Sequence, residues 1–340
     1  MGVYDRLHRD IRNLTCMLLV VVVTGVLLAG CTPDRPGETE SVENGADDQP
    51  DIERLIEDAE QGDTEAQVSL GRIYYHGHGE EQDHAEAVRW WRKAAEQGNA
   101  KAQYNLGVMY SYGQGIPQDH DEALRLFQKA AEQGLAEPQF GLGTIYAQGD
   151  GVEQDHAEAA RWWLKAAEQG HAAVQSNLGF MYAEGHGVPQ DYAEARRWYQ
   201  KAAEQGHALA QNNLGTMYAE GHGVPQDYAE AERWWRNAAE QGHTLAQSNL
   251  GSLHYYGHGV PQDDIQAHMW LDLAASGLIE EQAELREQAA GLRDEVAARM
   301  TPDQIAEAQR LAREWEPKPS EDRHESEQGV SSSEGLSPML

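Results

Sequence analysis

The chain has 340 residues, and its 57 Asp and Glu against 26 Lys and Arg give a formal net charge of −31 at pH 7. A nucleic-acid backbone is a polyanion that requires a basic surface, so this balance excludes nucleic-acid binding as the main function. The two cysteines, Cys16 and Cys31, are too few for a disulfide framework or a four-thiolate zinc site. The acidity is instead typical of a well-solvated surface.

The first 30 residues have the composition of an export signal. Arginines precede an apolar segment, residues 16–28, which is shorter than the roughly 20 residues that a membrane-spanning helix requires. The segment ends in the letters LAGC, which resemble the lipobox of bacterial lipoproteins. This resemblance implies cleavage after Gly30, lipidation of Cys31 and attachment to the bacterial cell envelope, and Thr32 resembles an outer-membrane sorting signal on the periplasmic side. The alternative is an uncleaved N-terminal anchor.

A period of 36 residues organises the chain after a flexible acidic linker at 31–51. The letters Ala-Glu-Gln-Gly recur at this step, at 59–62, 95–98, 131–134, 167–170, 203–206 and 239–242. A fixed period of this size predicts stacked supersecondary units in place of one globular core. We predict a capping helix from residue 52 and then six repeats, at 63–98, 99–134, 135–170, 171–206, 207–242 and 243–277. A helix pair at 278–316 is predicted to cap the last repeat, followed by a disordered tail at 317–340.

Each repeat has the pattern of a helix-turn-helix hairpin. In the first repeat Ala66, Leu70 and Tyr74 follow helical spacing and form one apolar stripe. Gly77 is typical of a helix C-cap, and Asp83 of the N-cap of the second helix.

The second helices carry pairs of adjacent bulky residues. The second member of each pair is predicted to lie in the core, at Trp91, Phe127, Trp163, Tyr199 and Trp235. The first tryptophan of a pair is predicted to fill the joint to the next repeat, at Trp90, Trp162, Trp198, Trp234 and Trp270.

A glycine also recurs inside each first helix, as at Gly71, although glycine costs about 0.5–1 kcal/mol there relative to alanine. We predict that it permits close approach of the two helices of a hairpin. The small side chain of Ala87 or Ala94 is expected to face Gly71.

The letters Leu-Gly-x-x-Tyr followed by Ala-x-x-x-aromatic resemble the tetratricopeptide pattern. The longer glycine loop and the terminal Ala-Ala-Glu-Gln-Gly resemble the Sel1-like repeat. This resemblance implies an all-α fold, a right-handed α-α superhelical solenoid that serves as a scaffold for other proteins. The sequence contains no recognisable nucleophile elbow, phosphate loop or zinc-hydrolase motif. We therefore predict a non-enzymatic chain without a cofactor.

Four loop histidines occupy the same position between two glycines, at His78, His186, His222 and His258. Stacked helices lie about 8–10 Å apart, which is too far for side chains of adjacent repeats to share a metal easily. Gln114 and Asp150 interrupt the row. We predict that it holds no metal.

The candidate partner-binding residues lie on the first helices, which line the concave groove in tetratricopeptide-like folds. The positions two residues before and two residues after the repeated Leu vary between repeats, so we predict that the core does not need them. Exposed aromatics there would anchor a partner over repeats two to four, with asparagines continuing the patch. The predicted site consists of Tyr104, Phe140, Phe180, Asn177, Asn213 and Asn249. The alternative is that the aromatics pack against neighbouring first helices.

Our leading hypothesis is a membrane-anchored envelope scaffold that binds protein or peptide partners in this groove. One alternative is a peptidoglycan-binding or glycan-binding protein that regulates a cell-wall enzyme, and such a protein should expose planar aromatics flanked by acids. A second alternative is a secreted effector that acts in a host cell. An effector should lack a lipobox.

Overall fold

A computed structural model describes residues 52–77, 82–149, 151–278 and 282–318. The predicted signal peptide, Cys31, the acidic linker and nearly all of the tail lie outside these residues. The described residues form fifteen α-helices and no strand. The predicted all-α solenoid of helical hairpins is confirmed.

The chain divides into two compact units at Gly170. The helices of the first unit are α1 (Ile52–Glu60), α2 (Thr64–His76), α3 (His84–Glu96), α4 (Ala100–Tyr112), α5 (His120–Glu132), α6 (Ala136–Gln148) and α7 (His156–Glu168). The helices of the second unit are α8 (Ala172–Glu184), α9 (Tyr192–Glu204), α10 (Ala208–Glu220), α11 (Tyr228–Glu240), α12 (Thr244–Tyr256), α13 (Asp264–Gly277), α14 (Ala283–Ala297) and α15 (Pro302–Glu314). Each first helix packs against the second helix that follows it, and both α14 and α15 pack on α13.

Side-chain and glycine caps set the helix ends as the sequence predicts. The Asp83 carboxylate accepts hydrogen bonds from the backbone amides of Ala85 and Glu86 at the start of α3. Gly77 adopts a left-handed conformation with φ 75° at the end of α2, where its amide donates to the Ile73 carbonyl. These bonds satisfy backbone groups that have no partner within the helix. In the first five repeats equivalent helices therefore end at equivalent residues, and only α13 runs one residue further, to Gly277.

The glycine inside the first helix faces an aromatic ring in five of the six repeats, and Gly251 of the last repeat faces Leu271. The side chain nearest to Gly71 is thus Trp91, in place of the predicted Ala87 or Ala94, although the backbone carbonyl of Ala159, which is equivalent to Ala87, lies 3.1 Å from the place of a Cβ on Gly143. A Cβ on Gly71 would lie 2.3 Å from Trp91 Nε1, and one on Gly143 would lie 2.4 Å from Trp163 Cδ1. The Trp91 indole also donates a 3.2 Å hydrogen bond to the Val68 carbonyl on the facing helix. The ring is too large to approach the helix backbone unless the opposite residue lacks a side chain.

The second aromatic of each pair is buried in the core as predicted. The exposed fractions are 0 % for Trp91, 4 % for Phe127, 2 % for Trp163, 3 % for Tyr199 and 1 % for Trp235.

The first tryptophan of a pair packs in the opposite direction from the prediction. Trp90 joins a buried cluster with Ala59 of α1 and with Ala66 and Leu70 of α2. It therefore fills the joint to the preceding helix, α1. Trp162 likewise packs on a cluster that contains Phe127 of the preceding repeat.

A buried glutamine links each hairpin to its predecessor. Gln211 is 5 % exposed, and its Nε2 donates to the Ala203 carbonyl at the end of α9. Its Oε1 accepts a 2.7 Å hydrogen bond from Gln241, the glutamine of the repeated Ala-Glu-Gln-Gly. The same acceptor role is taken in the other repeats by Gln67, Gln103, Gln139 and Gln175. This arrangement explains why glutamine recurs at both positions.

We expect Gly143→Ala to lower the free energy of unfolding by about 1–3 kcal/mol, because the added methyl group would overlap the Trp163 ring in a packed core. Gly291→Ala is the control, since Gly291 lies inside α14 and a Cβ added there would meet nothing within 4 Å. The control should be stabilised by about 0.5–1 kcal/mol. Urea unfolding followed by circular dichroism measures both changes. Equal effects at the two sites would contradict the ring contact.

Gln211→Leu should cost about 1–3 kcal/mol, because it leaves the Ala203 carbonyl and the Gln241 carboxamide without their buried partner. Gln309→Leu, at an exposed site on α15, should change stability by less than about 0.5 kcal/mol. Thermal unfolding of both variants separates lost hydrogen bonds from a general effect of leucine.

Candidate partner-binding face

The three predicted anchor aromatics do not share one environment. Phe180 is buried with 5 % exposure, and its ring meets the His186 ring edge-on at 5.5 Å. The prediction that Phe180 is exposed is therefore wrong. Tyr104 and Phe140, in the first unit, are partly buried. The Tyr104 ring lies 3.2 Å from the place of a Cβ on Gly141, so this tyrosine fills space left by a glycine of the next first helix.

More of the positions two residues before and two residues after the repeated Leu are buried in the core than the sequence predicted. Residues at these positions that are at least nine-tenths buried are Val108, Thr144, Ser176, Phe180, Asn212 and Ser252. A first helix has neighbours on more than one side once repeats stack, so these positions face adjacent helices. Tyr104 and Phe140 consequently fit the packing alternative better than an exposed patch.

The predicted asparagines form a row on the first helices of the second unit. Asn177, Asn213 and Asn249 lie on α8, α10 and α12, each directly before the repeated Leu, and all three are partly exposed. Asn212 joins two of them, because it accepts from Asn249 Nδ2 at 3.1 Å and donates to Asn213 Oδ1 at 3.3 Å.

Neighbouring groups continue this polar surface. The Asn213 side chain hydrogen-bonds the buried Tyr199, and burial raises the pKa of that phenol. Within the described part of the chain, the Ser176 hydroxyl is buried and has no hydrogen-bond partner. The second unit therefore presents neutral donors and acceptors at regular intervals along its first helices.

The first unit does not repeat this row. Its equivalent positions hold Ser69, Asn105 and Gly141. A carboxamide can donate and accept hydrogen bonds at once. Three carboxamides in register can therefore bond successive groups of a peptide backbone, whereas a single one cannot fix the direction of the peptide.

Two exposed tyrosines were not singled out from the sequence. Tyr112 is 45 % exposed and Tyr256 is 37 % exposed, and each is the last residue of a first helix. The Tyr256 ring stacks on the His258 ring at 5.6 Å. Their position directly before the C-cap glycine could have indicated exposure from the sequence, because a residue there does not belong to the apolar stripe of the helix.

A family model of the Sel1 repeat matches six segments, at 64–99, 100–135, 139–171, 172–207, 208–243 and 244–277. The chain belongs to the Sel1 repeat family. These segments cover more than half of its length and agree with the predicted period to within a few residues.

Two solved structures extend this comparison. A Sel1 repeat protein from Oxalobacter formigenes is 33 % identical, with a TM-score of 0.62 over 67 % of this chain and 93 % of the other. A protective antigen of uropathogenic Escherichia coli that displays an SLR fold is 30 % identical, with a TM-score of 0.53 over 85 % of this chain and 68 % of the other. No curated protein matched the chain. Sel1 repeats are typical of protein-interaction scaffolds, and this class holds for the chain.

The described helices include none that is both long enough and apolar enough to cross a bilayer.

Two of the loop histidines, His222 and His258, contact the preceding hairpin, whereas His186 meets Phe180 of its own hairpin. His222 stacks on Tyr192 at 4.6 Å, with its Nδ1 2.9 Å from a Glu220 carboxylate oxygen. His258 packs on Tyr228 at 5.3 Å. His78 lies outside the described residues, which contain no group of three or more side chains placed to hold a metal ion. The absence of a metal site stays a prediction.

Other histidines cap first helices in the second unit. Nδ1 of His207 accepts from the Ala210 amide and Nδ1 of His243 accepts from the Ala246 amide, each at 3.3 Å. Burial, and then the neighbouring His207, lower the pKa of His243 to about 4. A protonated Nδ1 could no longer accept the capping bond.

We expect acid to destabilise the second unit through His243. Its folded pKa lies below the unfolded value of 6.5, so the unfolded chain takes up the proton more readily. The stabilisation is complete above about pH 6.5 and falls as pH drops towards 4, by about 1–3 kcal/mol. His243→Asn keeps an N-cap acceptor and should remove this part of the pH dependence. Urea unfolding of both proteins from pH 4 to 7.5 measures the difference, and parallel pH profiles would contradict the assignment.

Proposed function

We propose that this chain is a lipid-anchored scaffold of the bacterial envelope that binds peptide segments of partner proteins. Its binding surface is the first-helix face of the second unit, centred on Asn177, Asn213 and Asn249. The observation that carries the proposal is this register of partly exposed carboxamides at one position in three successive repeats. The face performs no chemistry, and its role is to hold a partner near the membrane.

Asn177 is the asparagine of the row whose side chain is available for hydrogen bonds to a partner. In the described part of the chain its carboxamide makes no hydrogen bond, whereas Asn213 and Asn249 are joined through Asn212. Asn213 and Asn249 are therefore held in place by the protein, and Asn177 can bond a partner. An extended peptide presents an amide and a carbonyl at alternating positions, which suits such a row.

The charge of the chain selects among partners. With 57 acidic and 26 basic residues, it repels other acidic chains and attracts basic ones. Rim charges act mainly on association rate and are screened by salt, so we expect association with the partner to slow as ionic strength rises.

The anchor is supported by the N-terminal sequence alone. The letters LAGC at 28–31 and the acidic linker that follows suit a lipidated Cys31 on a flexible tether. Two acyl chains hold a protein stably at a membrane where a single one does not.

Cys31→Ala should move the protein from the membrane fraction to the periplasmic fraction, or block its processing, because the residue that would carry the lipid is gone. Cys16→Ala is the control, since Cys16 would leave with the signal peptide. Fractionation and intact mass measure the outcome. Unchanged membrane retention and mass in Cys31→Ala would contradict the anchor while leaving the binding face unaffected.

Asn177→Ala should reduce partner capture about fivefold with little change in melting temperature, because one hydrogen bond contributes about 1 kcal/mol. In-cell photocrosslinking from residue 216, a partly exposed threonine on α10, followed by mass spectrometry, would identify the partner for affinity measurement. Asn105→Ala, at the equivalent position of the first unit, is the matched control. Equal loss in both variants, or loss in neither, would overturn the proposed face.

A further inference from the structure

The end of α12, in the second unit, carries a group of aromatic rings that contact one another. The Tyr255 and Tyr256 rings meet at 4.7 Å with an interplanar angle of 76°, and the Tyr256 ring also stacks on His258. His258 packs in turn on Tyr228. We call these four residues the Tyr256 cluster. Tyr256 is its exposed member, whereas the other three are partly buried.

One ring of the Tyr256 cluster binds a guanidinium group of the chain itself. Arg299 of α14 lies over Tyr255, with 4.2 Å between the guanidinium carbon and the ring centroid. Arg299 Nε donates a 2.9 Å hydrogen bond to Asp264, and Nη2 donates a 3.2 Å hydrogen bond to the Tyr255 carbonyl. Attraction to the ring and pairing with the carboxylate act together on this group. A ring beside a carboxylate is therefore the arrangement by which this end of the molecule binds arginine.

The exposed Tyr256 also has a carboxylate nearby. Glu295 of α14 is exposed, and its Oε2 accepts a 3.3 Å hydrogen bond from the Tyr255 hydroxyl. In the described part of the chain no basic side chain forms an ion pair with Glu295, since Arg299 pairs with Asp264. Burial, and then the neighbouring Tyr255 and Glu295, raise the pKa of the Tyr256 phenol, so this ring stays neutral. Tyr256 and Glu295 thus offer a neutral ring and a carboxylate to a further cation.

Carboxylates occupy the position of Tyr256 in the two preceding repeats. Each first helix ends at the residue before its C-cap glycine, and this residue is Glu184 in α8 and Glu220 in α10. The equivalent residues of the first unit are His76, Tyr112 and Gln148. Acidic first-helix ends are therefore a feature of the second unit, and they favour a basic ligand there.

Tyr256 lies on the same side of α12 as Asn249 of the asparagine row. The two residues are seven positions apart, which is close to two helical turns and about 10 Å along the axis. An extended chain advances about 3.3 Å per residue, so about three residues of a bound peptide would span this distance. A partner segment that bonds Asn249 can therefore place a side chain on Tyr256.

We propose that Tyr256 and Glu295 bind an arginine side chain of the partner peptide. The guanidinium group stacks on Tyr256 and pairs with Glu295, as Arg299 does with Tyr255 and Asp264. A planar guanidinium can stack on a ring and bond a carboxylate at the same time, which a lysine ammonium group cannot do. The net charge of −31 favours the approach of such a basic segment. This proposal rests on the proposed peptide-binding function for the source of the arginine, and its site is tested separately.

A short peptide tests the site directly. The probe is an acetylated and amidated peptide of glycine and serine with one isotope-labelled arginine, titrated with the full chain and followed by NMR of the arginine side chain. Tyr256→Leu and Glu295→Gln should each weaken its affinity about fivefold, and Tyr256→Phe should restore it, because a phenyl ring keeps the attraction for a cation. Circular dichroism verifies that each variant is folded.

Two controls separate this site from general attraction to an acidic chain. Tyr112→Leu removes the exposed tyrosine at the equivalent position of the first unit, and Glu284→Gln removes an exposed charge at the other end of α14. Each should change the affinity less than about twofold, because distant exposed charges are screened by salt.

Peptides with lysine or citrulline in place of the arginine should bind about fivefold more weakly, because each lacks either the planar group or the charge. Equal binding of the lysine peptide would overturn guanidinium recognition. Unchanged affinity in both Tyr256→Leu and Glu295→Gln, or an equal loss in the two controls, would also overturn the proposal and assign binding to the net charge of the chain. Capture by Asn177→Ala reports on the asparagine row alone, so the two proposals fail separately.

Discussion

The contact between a helix-interior glycine and the ring of the following helix sets the geometry of the hairpins. Trp91 and Trp163 lie where a Cβ on Gly71 or Gly143 would have to be, so the ring reaches the backbone of the first helix. The indole then donates to a backbone carbonyl, as Trp163 does to Phe140. The free energy lost by placing glycine in a helix is offset by burial of a large ring and by this bond. The spacing of two helices in a hairpin follows from that contact.

Polar contacts join one hairpin to the next, where apolar packing alone would allow sliding. Gln211 donates to the Ala203 carbonyl at the end of the preceding second helix and is itself held by Gln241, so the relative height of successive hairpins is fixed by hydrogen-bond direction. The loops add a second contact, since His222 stacks on Tyr192 of the hairpin before it. A repeat protein contacts only its neighbours, so such joints determine its stability as much as the repeats do.

The period, the caps and the core stripe could be predicted because each depends on local spacing alone. The partner of Gly71 could not, since several residues of the facing helix have suitable spacing and only the packed structure selects Trp91. The predicted packing direction of Trp90 was wrong for a related reason. The angle of this side chain around the helix follows from local sequence, but the neighbour that it contacts depends on the direction in which the repeats stack. Gln67 gave no signal of burial because glutamine is usually exposed. Within the candidate site, the asparagine row could be predicted from its register, whereas the burial of Phe180 depends on contacts between repeats.

The two units share the repeated residues of the core and differ at few positions, so these positions are the candidates for a functional role. Ser69, Asn105 and Gly141 stand in the first unit where the second has its asparagine row. Residues 315–318 also lie on the second unit, where Lys318 contacts Glu240 at the end of α11, whereas the row lies on first helices. Both non-repeating features belong to the second unit, so we infer that recognition is carried there, while the first unit separates it from the proposed anchor along the chain.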